Sequence, residues 1–142
     1  MISGEWRVRE KTDSGMANFL ATNHSPLATI VTTGSMSGAA LQASKLAGIP
    51  VYHAPCLSSV DEAFLQNFKA ENLFILEENV APGGYGEAVS STVMRLGLPI
   101  KVHTLALPPR PLPHDTPAAQ FASAGLDAEG IADIINGLQK KP

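Results

Sequence analysis

The sequence is 142 residues long, enough for one domain with a sizeable core that needs neither disulfides nor metals. Its net charge of −3, with 16% charged and 44% hydrophobic residues, offers no basic footprint for nucleic acid and no polybasic patch for anionic membrane, while a surface this apolar expects a protein partner. The single cysteine, Cys56, cannot form an internal bridge, no early run resembles a signal peptide, and no stretch reaches the roughly 18 apolar residues of a membrane helix, so the expected location is cytoplasmic.

The elements alternate along the chain. Glu5 to Lys11 alternates charged residues with Trp6 and Val8, as in a half-buried edge strand. Residues up to 27 are polar and breaker-rich and read as an irregular connection. Ala28 to Gly34 is an apolar, β-branched run of the kind buried on both faces of a parallel sheet. Ser35 opens a helix of small residues closed by Gly48, with Ala39, Ala43 and Leu46 on one side. A short strand, "IPVYHAP", follows. Ser59 is placed to cap the next helix, whose stripe is Val60, Phe64, Leu65 and Phe68. "NLFILEE" is a third buried strand. Val89, Val93 and Leu96 then recur at helical spacing up to Gly97, and Pro99 to Leu107 is a fourth strand after the first edge strand. Pro108 to His114 holds too many prolines for sheet or helix and must be an extended connector. Thr116 with Pro117 starts a short helix, and Asp127 caps a last one with Ile131, Ile134, Ile135 and Leu138 as its core face.

Strands alternating with helices predict a three-layer α/β/α domain over residues 1–142, with a mostly parallel sheet of about five strands. The first strand is expected to lie antiparallel at the edge, with residues 28–142 forming the α/β core.

The most informative stretch is "LFILEENVAPGGYGEAV", where a strand runs into Glu77, Glu78 and Asn79, then Gly83, Gly84, Tyr85 and Gly86, then a helix. A glycine-rich helix entry presents free N–H groups that suit an anion. It also suits a tight turn with close packing, and both readings stay open. Val89 stands where a dinucleotide fingerprint needs a third glycine, and no Gly-Lys-Ser/Thr follows. Glu77 and Glu78 end a strand, where open α/β sheets place ligands, but successive strand residues point to opposite faces. One of them is expected to accept N–H bonds from the glycine loop. His24, His53, His103 and His114 form no ligand-spaced pair, so no metal site is expected. His53 lies near the end of its strand, Arg110 sits among prolines, and Cys56 lacks a cationic neighbour in sequence.

Taken in order, "TTGSMSGAALQA", "LEENVAPGGYGEAV", "ALPPRPLPH" and "AGLDAEGIADII" resemble the C-terminal domain of transketolase-type thiamine diphosphate enzymes, and most of all that of deoxyxylulose-phosphate synthases. The resemblance runs from about Thr29 to Leu138. It implies a domain that supports dimerisation and buttresses the active-site domains without carrying catalytic residues. The Gly-Asp-Gly motif through which the family holds the cofactor diphosphate is absent from this sequence. The resemblance therefore implies that thiamine diphosphate and magnesium belong to an assembled enzyme with a separate catalytic subunit, and that this chain binds neither alone. Glu77, Glu78, Asn79, Gly83, Gly84 and Gly86 match the family's pattern. With His53, Tyr85, Arg110 and Leu112 they are the candidates for an interface or ligand site. Tyr85 and Leu107 to Leu112 are expected to present an apolar surface to a second copy or a catalytic partner. The other readings are a stand-alone module binding a small anionic metabolite at the glycine loop, and an independent enzyme using Glu78 or His53.

Overall fold

The first long apolar run becomes the middle of the sheet. In the computed structural model, which describes residues 7–8 and 28–139, strand β2 (Ala28–Thr32) is buried along its whole length. It pairs in parallel with β3 (Val51–His53) on one side and β4 (Asn72–Val80) on the other, and β4 pairs in parallel with β5 (Lys101–Leu107). These four strands form the parallel sheet, in the order β3-β2-β4-β5. At the far margin Arg7–Val8, labelled β1, lies antiparallel to Tyr52 and His53. The rest of the expected Glu5 to Lys11 strand, and the connection that follows it, lie outside the described residues.

Strand alternation sends apolar side chains to both faces, and each face is covered by helices. On one face Ile30, Val51, Phe74 and Leu76 pack against Met36, Ala40 and Ala43 of the first helical segment and Ile131 and Ile135 of the last. That segment is a 3-10 turn over Gly34–Met36 continued by α1 (Ser37–Ala47), and the last helix is α5 (Ala128–Gln139). On the other face Val31, Leu73 and Ile75 meet Leu65 of α2 (Glu62–Gln66) and Val89 and Val93 of α3 (Tyr85–Arg95). Full burial of residues such as Ile30, Phe74 and Leu76 contributes about 1.5–3 kcal/mol each. The ion pairs Arg95–Glu62 and Lys101–Glu71 lie among exposed side chains, where such contacts add little.

Local details follow the residue chemistry, with corrections. Gly48 ends α1 at φ +69, the left-handed conformation a side chain resists, and its N–H and that of Ile49 both reach the Ser44 carbonyl. Leu46 is not on the core face: it falls two residues beyond buried Ser44, on the far side of the helix, and is 58% exposed. Asp61, rather than Ser59, caps α2, because its carboxylate accepts the Phe64 N–H at 2.9 Å. Thr116 caps α4 (Pro117–Ser123), with Pro117 at its first turn, and Asp127 accepts the Gly130 N–H. Ile134 sits at the margin of the α5 stripe and is 37% exposed.

From β2 the chain crosses to β3 on one side, and from β3 it crosses back to β4 on the other. The connections diverge between the carboxyl ends of β2 and β4, where an open sheet leaves its crevice. Gly34 and Ser35 leave one strand there, and Glu77 and Glu78 leave the other.

Candidate functional site

The end of β4 departs from regular pairing. Leu76 is opposite Leu105 and Val80 opposite Leu107, so the register shifts across Glu77, Glu78 and Asn79. A bulge of this kind re-aims side chains at a strand end. The two glutamates go to opposite faces, as alternation requires. Glu77 turns toward α3 and is 1% exposed, while Glu78 turns toward the start of α1 and accepts the Ser35 hydroxyl. Gly34 allows that approach, since a Cβ there would come within 2.9 Å of the Glu78 carboxyl carbon.

Glu77 and the glycine loop form one unit. Gly84 N–H closes on the Ala81 carbonyl at 3.0 Å around Pro82 and Gly83, and Gly83 has φ +73, as the third residue of a type II turn requires. The Gly83 N–H is accepted by Glu87 of the first turn of α3 at 2.9 Å. The Gly86 N–H is accepted by Glu77 Oε2 at 2.8 Å. The donors of Gly83, Gly84 and Gly86 are therefore taken by the chain's own groups, and the carboxylate of Glu77 occupies the place where a helix N-terminus would hold an anion. This geometry favours the packing role of the glycines over an anion cradle. Burial pushes the Glu77 carboxyl above the ordinary range, opposed by the Gly86 and Tyr85 N–H groups and reinforced by the charge of Glu87. Its other oxygen, Oε1, meets no donor in hydrogen-bond geometry among the described residues.

Tyr85 is not an apolar surface residue. As the first residue of α3 on the sheet-facing side, it packs with Leu65 and Val89, is 5% exposed, and donates its hydroxyl to the Ser59 carbonyl at 2.9 Å. Ser59 thus serves Tyr85 instead of capping α2. Tyr85→Asp is accordingly expected to unfold the chain, whereas Tyr85→Phe should lower stability by about 1 kcal/mol through loss of one hydrogen bond, as urea titration would read.

The remaining candidates are dispersed. His53 ends β3, two strands from Glu77, about 10 Å away at ordinary strand spacing. Arg110 is exposed in the proline connector, and Leu112 is half-buried there. Cys56 is partly exposed, and its thiol is shifted down by the hydroxyl and then the backbone of Ser58, a local effect that a search for cationic neighbours overlooks. Two residues of the site carried no sequence signal of their role. Ser35 reads as a helix start but holds Glu78, and Thr104 on β5 supplies the wall against which Gly86 packs.

Beside the glycine loop a shallow groove of about 450 Å³ stays open, bounded by Glu78, Asn79, Val80, Pro82, Gly83, Gly84 and Leu107. Val80 is 39% exposed in it. Among the described residues no cluster of His, Cys, Asp or Glu could hold a metal ion, and Glu77 and Glu78 are already engaged. This donor set does not fit a magnesium diphosphate group. Among the described residues no helix is long and apolar enough to cross a membrane.

Comparison with known proteins agrees with this architecture. Residues 19–131 match the family "Transketolase, C-terminal domain". The chain is 35% identical over 117 residues to a 1-deoxy-D-xylulose-5-phosphate synthase of Myxococcus xanthus, covering 81% of this chain and 20% of that protein. It is 31% identical over 110 residues to the synthase of Alkalilimnicola ehrlichii, covering 76% of this chain and 18% of the relative. The chain thus spans about one fifth of the length of these curated relatives. A solved structure described as a split gene transketolase, inactive beta4 tetramer, superposes with a TM-score of 0.70 at 26% identity, over 80% of this chain and 39% of that one. With the family's sequence pattern covering most of its length and its fold shared with a transketolase, the chain belongs to the transketolase C-terminal domain family.

Proposed function

We propose that this chain is the C-terminal accessory domain or subunit of a transketolase-like thiamine diphosphate enzyme whose active-site domains lie on a separate polypeptide. It supports assembly and leaves the chemistry to its partner. The observation that carries this reading is the combination of a transketolase C-terminal fold with a crevice whose carboxylates are tied to the chain's own loops. The likeness to a split gene transketolase favours a divided enzyme over a free-standing one. In the assembled enzyme thiamine diphosphate and magnesium supply the carbon–carbon bond chemistry. The groove beside Val80 and Leu107, with Leu112 in the connector, is the contact surface for the active-site domains. The working assembly also contains two copies of this chain and resides in the cytoplasm.

The test is reconstitution. Mixed with a Gly-Asp-Gly-bearing transketolase polypeptide that lacks a C-terminal domain, the chain should co-purify with it and raise ketol transfer well above either component alone. Leu112→Asp should weaken that capture by placing charge in a buried contact. Calorimetry of this chain with thiamine diphosphate and magnesium should give no saturable heat. Micromolar cofactor binding, or ketol transfer by the chain alone, would overturn the proposal.

A further inference from the structure

Two carboxylates hold the glycine loop from opposite sides. From inside the fold Glu77 Oε2 accepts the Gly86 N–H at 2.8 Å, and from the solvent side Glu87 accepts the Gly83 N–H at 2.9 Å. Between them Gly84 lies directly on the Glu77 carboxyl: a Cβ there would overlap Oε1 and stand 2.8 Å from the carboxyl carbon and 2.9 Å from the Val80 carbonyl oxygen. The neighbours of Oε1 are thus a backbone carbon and a second acceptor. Among the described residues it meets no donor in hydrogen-bond geometry, and solvent barely reaches the side chain.

A neutral carboxyl suits this arrangement and an ionised one does not. The acid form accepts at Oε2 and, with its proton on Oε1, sets a donor beside the Val80 carbonyl. The carboxylate needs donors at both oxygens and has one. The surrounding elements do not supply the other. Helix α3 brings the Glu87 carboxylate and Tyr85, whose hydroxyl is bound to the Ser59 carbonyl, and β5 brings Thr104, held against Gly86. The end of β2 carries the uncharged Thr32 and Thr33, and Glu78 is turned to the opposite face and bound by Ser35. In α2, Asp61 caps its own helix and Glu62 pairs with Arg95. Glu87 is the charge that acts on Glu77, and like charge favours the neutral form, as burial does.

An ionised Glu77 can be relieved without unfolding the sheet. Parting Gly84 from the carboxyl admits water to Oε1, and the turn that must give is closed by a single backbone bond from the Gly84 N–H to the Ala81 carbonyl. Ionisation also sets Glu77 against Glu87, the clasp on the outer side of that turn. We propose that the Ala81–Gly86 loop is a proton-operated latch, closed over neutral Glu77 and opening more often once Glu77 is ionised. Because the closed form holds the proton, the latch loosens as pH rises. Pro82, Gly83 and Gly84 also wall the groove beside Val80, so the latch sets that groove's shape. Its effect on capture of the active-site domains rests on the contact surface proposed above, whereas the latch itself belongs to the isolated chain.

Nuclear magnetic resonance of the isotope-labelled full chain from pH 4 to pH 8 is the test. The Glu77 carboxyl carbon should titrate above the ordinary glutamate value of about 4.3, and the Gly84 and Gly86 amide shifts should move with the same midpoint. Across that step the exchange protection of the Gly86 N–H should fall by about tenfold, while that of Ile75 within the sheet stays constant. In Glu77→Gln the amide titration should vanish, and in Glu87→Gln, which removes the like charge, the midpoint should fall. The wild-type titration needs neither variant, so it reads the latch even where a variant loses its fold. A Glu77 carboxyl that titrates at or below the ordinary value overturns the proposal. So does a loop whose amide shifts and protection stay constant while Glu77 titrates. Either result leaves reconstitution with a catalytic polypeptide unaffected.

Discussion

Alanine at Gly86 is expected to destabilise the chain by about 1–3 kcal/mol, although the substitution is favourable in most helices. A Cβ there would stand 2.7 Å from Thr104 Cγ2 and 2.9 Å from Thr104 Cβ. Thr104 is β-branched and fixed on β5, so it cannot swing aside as a long side chain could. Helix α3 would have to lift off the sheet, and that would stretch the Gly86 N–H bond to Glu77. Gly83→Ala provides the contrast: no atom lies within 4 Å of its added Cβ, and only the positive φ of +73 resists it, at about 1 kcal/mol. Pairing Gly86→Ala with Thr104→Ala should recover part of the loss, because it removes Oγ1 and Cγ2 but leaves the Cβ in place. Urea midpoints of the two singles and the double give the coupling directly. Purely additive losses would place the cost somewhere other than this contact.

The glycines illustrate what a sequence does and does not disclose. That Gly83, Gly84 and Gly86 sit where a strand enters a helix is visible in the order of residues, and so is the opposite orientation of Glu77 and Glu78. The alternation of buried strands and amphipathic helices likewise predicts the parallel sheet, because period and β-branching are properties of short segments. The partner of each glycine is not a property of any segment. Thr104 lies 18 positions beyond Gly86, and Ser35 lies 43 positions before Glu78, and only the strand order brings them together. Tyr85 shows the same limit in another form. Beside three glycines it reads as a loop residue, yet the helix starts at Tyr85 and turns its ring inward. Leu46 fails for the reverse reason, since it is apolar but lies off the stripe set by Ala40, Ala43 and Ser44.

The largest effect is expected at Glu77, where the two obvious substitutions should part. Glu77→Ala removes the acceptor of the buried Gly86 N–H and leaves a void beneath the glycine loop, a combined loss of about 2–4 kcal/mol. Glu77→Gln keeps a carbonyl oxygen for that N–H at nearly the same volume and should cost far less. The difference between glutamine and glutamate should also depend on pH. Burial holds the Glu77 carboxyl above its unfolded value, so the folded chain takes up this proton more readily than the unfolded chain. The stability this gives is complete below about pH 4, the unfolded value, and is lost as pH rises through the folded one. Above that point a desolvated carboxylate sits under the loop, with Glu87 adding like charge. Glutamine carries no such penalty. Relative to wild type, Glu77→Gln should therefore gain stability from pH 4 to pH 8, with Glu77→Ala below both throughout. Urea titrations of the three chains across that range decide the matter. A constant offset between glutamine and glutamate would mean that the carboxyl titrates alike in the folded and unfolded chains, and that Gly86 and Tyr85 fully offset its burial.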